Sequence, residues 1–148
     1  MTLNQFVKIV QSLGEDHKII KTTWNGAVMD KLAEVDVEYP VFTFDITGAR
    51  IDGQVIVYDL SMFFFERLQI DAENEREVQS DQLQIAQDII AQLRYPGWED
   101  FVILNNVPIT FFSDNTPELL AGVNARASIQ MDFASDRCVV PTTFTYAT

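Results

Sequence analysis

Hydrophobic positions change period several times along the chain, and each change marks a new element. Leu3, Phe6, Val7, Val10 and Leu13 recur at three- to four-residue intervals, the apolar stripe of an amphipathic helix. Thr2 stands where an N-cap oxygen is needed, Gln5 completes a capping box, and Gly14 is expected to stop the helix. Residues 18–24, KIIKTTW, are β-branched and aromatic and read as a strand, followed by a turn at Asn25-Gly26. Residues 27–39 fit two patterns. Their first half suits a helical turn, whereas Val35, Val37 and Tyr39 alternate with acids like an edge strand. Pro40 bars a helix from running through Tyr39.

From Val41 the period is two. VFTFDIT reads as a strand, GARIDG as a loop rich in turn formers, and QVIVYDLSMFFFERL as a second long strand, together a hairpin. Ile56, Tyr58, Leu60, Met62 and Phe64 form a wholly apolar face that should pack on helices. Val55, Val57, Asp59, Ser61, Phe63 and Phe65 form a mixed one. After the polar break DAENE, Asn74 and Glu77 offer a second capping box. Val78, Leu83, Ala86, Ile89, Ile90 and Leu93 then mark the longest helix, which ends before Pro96-Gly97. Its other face carries Glu77, Gln79, Asp81, Gln84, Asp88 and Gln92, without a base, and reads as solvated.

FVIL and VPITFF are strand-like runs flanking Asn105-Asn106, and SDNTPE reads as a loop. Ala121, Val123, Ala125, Ala127, Ile129, Met131 and Phe133 alternate with Gly122, Asn124, Arg126, Ser128, Gln130 and Asp132. Such unbroken alternation predicts a half-buried antiparallel strand, whose alanines let a helix approach closely.

Helix, strands, helix, strands is the order of an α+β fold: a mostly antiparallel β-sheet with two helices packed on one face. Residues 1–141 are expected to form one domain, with 142–148 as a C-terminal tail. In the core, Leu83, Ile89 and Ile90 should meet Ile56, Tyr58 and Leu60 on one strand and Ile129, Met131 and Phe133 on another. The tail region is uncharged and holds Phe144 and Tyr146, which are expected to form an assembly interface by adding a strand to a neighbour.

Composition narrows the class. At 148 residues, 47% hydrophobic and 22% charged, the chain suits one globular domain and not a disordered one. Its opening lacks the pattern of a secretory signal, and no apolar run approaches the ~20 residues that span a bilayer. No membrane partner is expected, and the chain should stay in the cytosol unless assembly carries it elsewhere. A net charge of −12 repels phosphate backbones and disfavours a nucleic-acid reader. Cys138 is the sole cysteine, so neither an intrachain disulfide nor a thiolate metal cluster can form; beside Val139 and Val140 it reads as a small buried hydrophobe.

Candidate chemistry is sparse. His17, the sole histidine, lies between Asp16 and Lys18 and reads as a solvent-facing loop residue. The chain has neither a Walker A sequence nor a GxGxxG motif, and Asp71 to Glu75 lacks the ligand spacing of a calcium loop. Aromatic residues do not interleave with bases, as a single-strand binding platform requires. No catalytic, cofactor-binding or metal-binding residue is assigned, and no cofactor is expected.

Three segments carry a resemblance: VQSDQLQIAQDIIAQL, ELLAGVNARASIQMDF and DRCVVP. A long strand ending in acids precedes a helix that begins near Ser-Asp. A later strand opens with Ala-Gly, and Cys-x-x-Pro closes the domain. Over roughly Tyr39 to Pro141 this resembles the small tail-completion or neck proteins of tailed phages infecting Bacteroidetes, crAss-like phages included. The chain departs from that pattern at Val123, where an aromatic would follow the Ala-Gly pair. The resemblance implies a tail-terminator-like fold without catalytic residues. It also implies a homo-oligomeric ring, often a hexamer, joining the tail to the connector in the virion after assembly in the host cytoplasm. Expected partners are further copies of the chain, adjacent neck, connector or tail-tube proteins, and DNA that passes without specific binding. In such a ring, loop acids would line the channel, with Asp52, Asp114 and Glu118 as candidates. A cytosolic adaptor or ligand-binding module is the alternative, and an enzyme built on carboxylates alone is a third reading.

Overall fold

The apolar stripes of both helices find the same side of one sheet. In the computed structural model, which describes residues 1–27, 37–68, 74–114, 119–132 and 143, the elements are as follows. Helix α1 spans Leu3–Asp16; strands β1, Thr22–Asn25, β2, Val41–Asp52, and β3, Val55–Arg67, come next. Helix α2 spans Glu75–Leu93, followed by β4, Phe101–Ile103, β5, Ile109–Asp114, and β6, Leu120–Asp132. The six-stranded sheet runs β1-β2-β3-β6-β4, with β5 also on β6. Among the described residues only β1 and β2 pair in parallel. The architecture is the expected α+β one, a mostly antiparallel sheet with both helices on one face.

The core lies between that face and the helices. Phe6 and Val10 of α1 and Ile85, Ala86, Ile89, Ile90 and Leu93 of α2 pack on Phe42, Phe44, Leu60, Met62, Phe64, Val123, Ala125 and Ile129. Phe42 stacks on Phe64 at a centroid distance of 4.6 Å, and Phe6 meets Phe101 edge-on at 5.0 Å. The predicted pairing holds where it is described: Ile89 and Ile90 share this core with Leu60, Ile129 and Met131, and Leu83, Ile56 and Tyr58 pack at its margin. Phe133, Cys138 and most of residues 27–39 lie outside the described residues.

Local predictions fared unevenly. The capping box at Thr2 and Gln5 forms, with bonds of 2.8 and 3.2 Å. Asn74 does occupy the N-cap of α2, but its side chain makes no capping bond, so the box with Glu77 does not form. Gly14 does not stop α1. It is buried inside the helix, and a β-carbon there would sit 2.6 Å from Thr23 and 2.7 Å from Phe42. Glycine is required because α1 presses on the sheet. The first strand is shorter than expected, since only Thr22–Asn25 finds partners on β2.

One error of register matters more. GARIDG is not a loop: β2 continues to Asp52, and the turn is the two-residue Gly53-Gln54, with Gly53 at φ 61°. A bulge makes this possible. Ile46 pairs with Leu60 and Gly48 with Asp59, leaving Thr47 as an extra residue between them. The bulge shifts β2 by one phase, so Arg50 and Asp52 join the sheet face opposite the helices. The two strand-like runs that flank Asn105-Asn106 form β4 and β5, and they share one partner. Both run antiparallel to β6 on the same edge, one beside Ile129–Met131 and the other beside Leu120–Ala125. Residues 104–108 bulge between them, bridged back to β6 by Leu104 N–H to Ser128 O and Arg126 N–H to Pro108 O.

Candidate functional site

Three parts of the described surface carry chemistry beyond solubility. The first is one end of the sheet. Asp52 closes β2 and Asp132 closes β6, and both are register partners of Val55 on β3. Two inter-strand steps put their backbones ~10 Å apart on the same face. Glu99 and Asp100 immediately precede Phe101, whose partner on β6 is Met131, so they join the same end. All four acids are exposed. Arg50, one pleat inward, turns back to Asp59 at 3.8 Å.

Of the acids predicted to line a channel, Asp52 therefore stands in this group. Asp114 does not. It ends β5 opposite Leu120, which pairs with Arg67 at the far end of β3. A strand of 13 residues at ~3.3 Å each separates the two ends by roughly 40 Å. Glu118, Phe144 and Tyr146 lie outside the described residues. Sequence reading missed Asp132, Glu99 and Asp100. Asp132 was legible as a polar position of a strand, but only register places it level with Asp52.

The second part is a polar cleft of about 600 Å³ on the sheet face opposite the helices, where Thr47, Asp59, Ser61, Arg126 and Ser128 meet Asn106 and Pro108 of the 104–108 bulge. Asn124 organises its floor, donating from Nδ2 to Ser61 Oγ at 3.1 Å and Met62 O at 3.0 Å. Its Oδ1 accepts from Arg126 Nε at 3.2 Å. Ser61 is thus an acceptor from an amide, and among the described residues neither imidazole nor thiol lines this cleft. The arrangement can hold a small polar group by hydrogen bonds; it does not pair a nucleophile with a base.

The third part lies on the helix side, between α2 and the end of β3. Glu66, Asp81 and Asp88 border a cleft of about 520 Å³ there. Burial raises the Glu66 carboxyl above its ordinary range, and the negative charge of Asp81 pushes the same way. His17 closes the rim and is not the solvent-facing loop residue expected. It caps α1, its side chain is only 10% exposed, and its Nε2 lies 2.9 Å from Asp88 Oδ2. Ile19 N–H donates to Nδ1 at 3.2 Å, which leaves the proton on Nε2 to reach Asp88. The residue joins the two helices.

No protein-family model matches the chain, and no curated protein matches it significantly. Among the described residues, no three His, Cys, Asp or Glu side chains could hold a metal ion together. Among those residues, too, no helix is long and apolar enough to cross a membrane. Unpaired strand edges complete the picture. Along β2, β1 covers only Val41–Phe44, so among the described residues Asp45–Asp52 has a free outer edge.

Proposed function

We propose that the protein is a structural virion subunit of a tailed phage, a ring-forming tail terminator or head–tail neck protein through which DNA passes. The observation that carries this reading is the cluster of exposed acids at one end of the sheet: Asp52, Glu99, Asp100 and Asp132. Bases along a channel would hold DNA through phosphate contacts and counterion release, whereas an acidic wall keeps the duplex free to slide. The Debye length is ~8 Å at physiological salt, so only acids within about that distance of the duplex act on it. Asp52 and Asp114 can both meet DNA only if the strands lie along the bore.

In this reading the partners are further copies of the chain, in a hexamer, and the adjacent connector or tail-tube proteins. The edge of β2 over Asp45–Asp52, unpaired among the described residues, supports assembly by strand addition, with Phe144 and Tyr146 of the C-terminal tail as the contributed residues. The protein acts in the virion and is assembled in the host cytoplasm.

Native mass spectrometry and electron microscopy of phage particles test the proposal. A ring at multiples of 16.8 kDa, present in particles with Asp52 and Asp132 facing the bore, is the expected result. A monomer at every concentration that never enters particles would overturn it, as would a bore lined by Lys and Arg with those acids outside. Deleting residues 142–148 should leave a folded chain that no longer assembles. The second reading, a ligand-binding module, is favoured by the polar cleft at Arg126, and a stable monomer that binds a small polar ligand there would select it.

A further inference from the structure

The cleft beside α2 differs from the other acidic parts of the surface in what lies at its base. Glu66 continues the helix-facing row of Leu60, Met62 and Phe64 by one step, so its carboxylate stands at the open end of the helix layer. Asp81 and Asp88 come from α2, and Asp88 is already held by His17. Among the described residues neither lysine nor arginine lines the cleft, while Ile19 and Pro40 give it an apolar wall.

The independent observation is Gln82. It lines the same cleft, is only 1% exposed, and both its Nε2 and its Oε1 lack a hydrogen-bond partner. A buried amide with neither group satisfied is rare in native proteins, and each such group calls for a partner that the described residues do not supply. Two carboxylates and the Gln82 amide oxygen accept, and the donors they lack are those of a cation; the Gln82 Nε2 donor needs an acceptor besides. A guanidinium fits best. It offers five N–H donors in a planar fork, and its aliphatic stem can lie along Ile19 and Pro40.

We propose that this cleft is a docking site for an arginine side chain presented by a basic segment of a different protein. Charge complementarity selects that source. With 22 acids against 10 bases, no two of the bases adjacent, the chain has no basic run of its own to offer and attracts a basic partner. Glu66 and Asp81 clamp the guanidinium, Gln82 Oε1 accepts from it, and the apolar wall holds the stem. The site does not depend on whether the protein forms a ring.

Titration of the full chain with a tetra-arginine peptide, followed by ¹⁵N-resolved NMR, tests the assignment. The expected result is a saturable shift of the Gln82 side-chain amide together with the backbone amides of Glu66 and Asp81. Affinity should fall at least tenfold in the E66Q/D81N variant and stay within twofold in D52N/D132N, which removes the same charge elsewhere. Because the Gln82 shift is read in the unaltered protein, it decides the matter even if a variant folds poorly. Small shifts spread over all acidic surfaces, equal in both variants, would overturn the proposal. So would displacement of the peptide by Mg²⁺ at matched ionic strength, which would mark a simple cation site. Concentration-dependent shifts at Gln82 without peptide would assign the cleft to a second copy of the chain and equally overturn it.

Discussion

The two faces of the sheet are built by the same strands, yet they bury different things. Phe64 and Phe65 are sequence neighbours, each at most 1% exposed. Phe64 belongs to the main core under the helices, stacked on Phe42. Phe65 belongs to a smaller cluster on the opposite face with Val41 and Leu120, where Phe112 meets it edge-on at 6.4 Å. Along β3 the helix-facing row is apolar from Ile56 to Phe64. The opposite row passes from that cluster to Ser61 and Asp59, and so to the polar cleft. One face spends its residues on holding the fold. The other is apolar at both ends, where Phe65 and Val57 are buried, and its polar middle is available for recognition.

This contrast can be broken most directly at the core. Phe64→Ala removes a ring fully enclosed between sheet and helices and should cost about 3–5 kcal/mol; Ile90→Ala, on α2, should cost about 2–5 kcal/mol. Chemical denaturation measures both, and an unchanged midpoint would mean that the helix layer does not rest on this face. Gly122→Ala asks whether the opposite face is as tightly fitted at its Phe65 end. A β-carbon at Gly122 would collide with the Phe64 carbonyl oxygen and the Phe65 backbone, so β3 and β6 must part locally. The expected loss is about 1–3 kcal/mol by the same measurement, as overpacking gives.

Glu66→Gln sharpens the comparison at the margin of the helix side. The folded carboxyl titrates above the ordinary value of 4.5 because of burial and Asp81. Between the unfolded and folded values the native state binds more protons, so stability declines as pH rises through that window. The glutamine variant escapes this decline. Its melting temperature should exceed that of the unaltered protein at about pH 7, and the gain should vanish once pH falls below the ordinary carboxylate range. A gain that persists in acid would assign the effect to packing. The smallest effect belongs to Asp52→Asn with Asp132→Asn at the exposed end of the sheet. Stability should change by no more than about 0.5 kcal/mol, because both acids are exposed, while the surface charge that the proposed channel needs is removed.

Much of the fold was legible from local pattern. The helix stripes, the capping box at Thr2 and the alternation of β3 and β6 depend on residues a few positions apart, and periodicity reports such spacing directly. Even the close approach of a helix was foreshadowed by the alanines of β6. The chemistry was less legible, because it depends on which residues stand level across strands. Asp52 was visible as an acid near a turn, but its company with Asp132, Glu99 and Asp100 follows from the register through Val55 and Met131. That register in turn depends on the bulge at Thr47, which a glycine-containing stretch disguises as a loop.

Gln79 and Gln82 make the same point from the helix. Gln79 was counted on a solvated face, yet it is 4% exposed and donates to Phe112 O at 3.1 Å; Gln82 is buried with its amide unpartnered. A polar residue in a helical pattern predicts solvent, and only a neighbouring strand can overrule it. The sequence by itself determined where helices and strands form and which face of each is apolar, since those properties follow from backbone period and side-chain hydrophobicity. Tertiary structure alone decided the phase shift in β2, the end-to-end arrangement of β4 and β5, the tie from His17 to Asp88 and the grouping of acids. The physical reason is that hydrogen-bond pairing joins residues tens of positions apart, and a one-residue slip in that pairing exchanges the two faces.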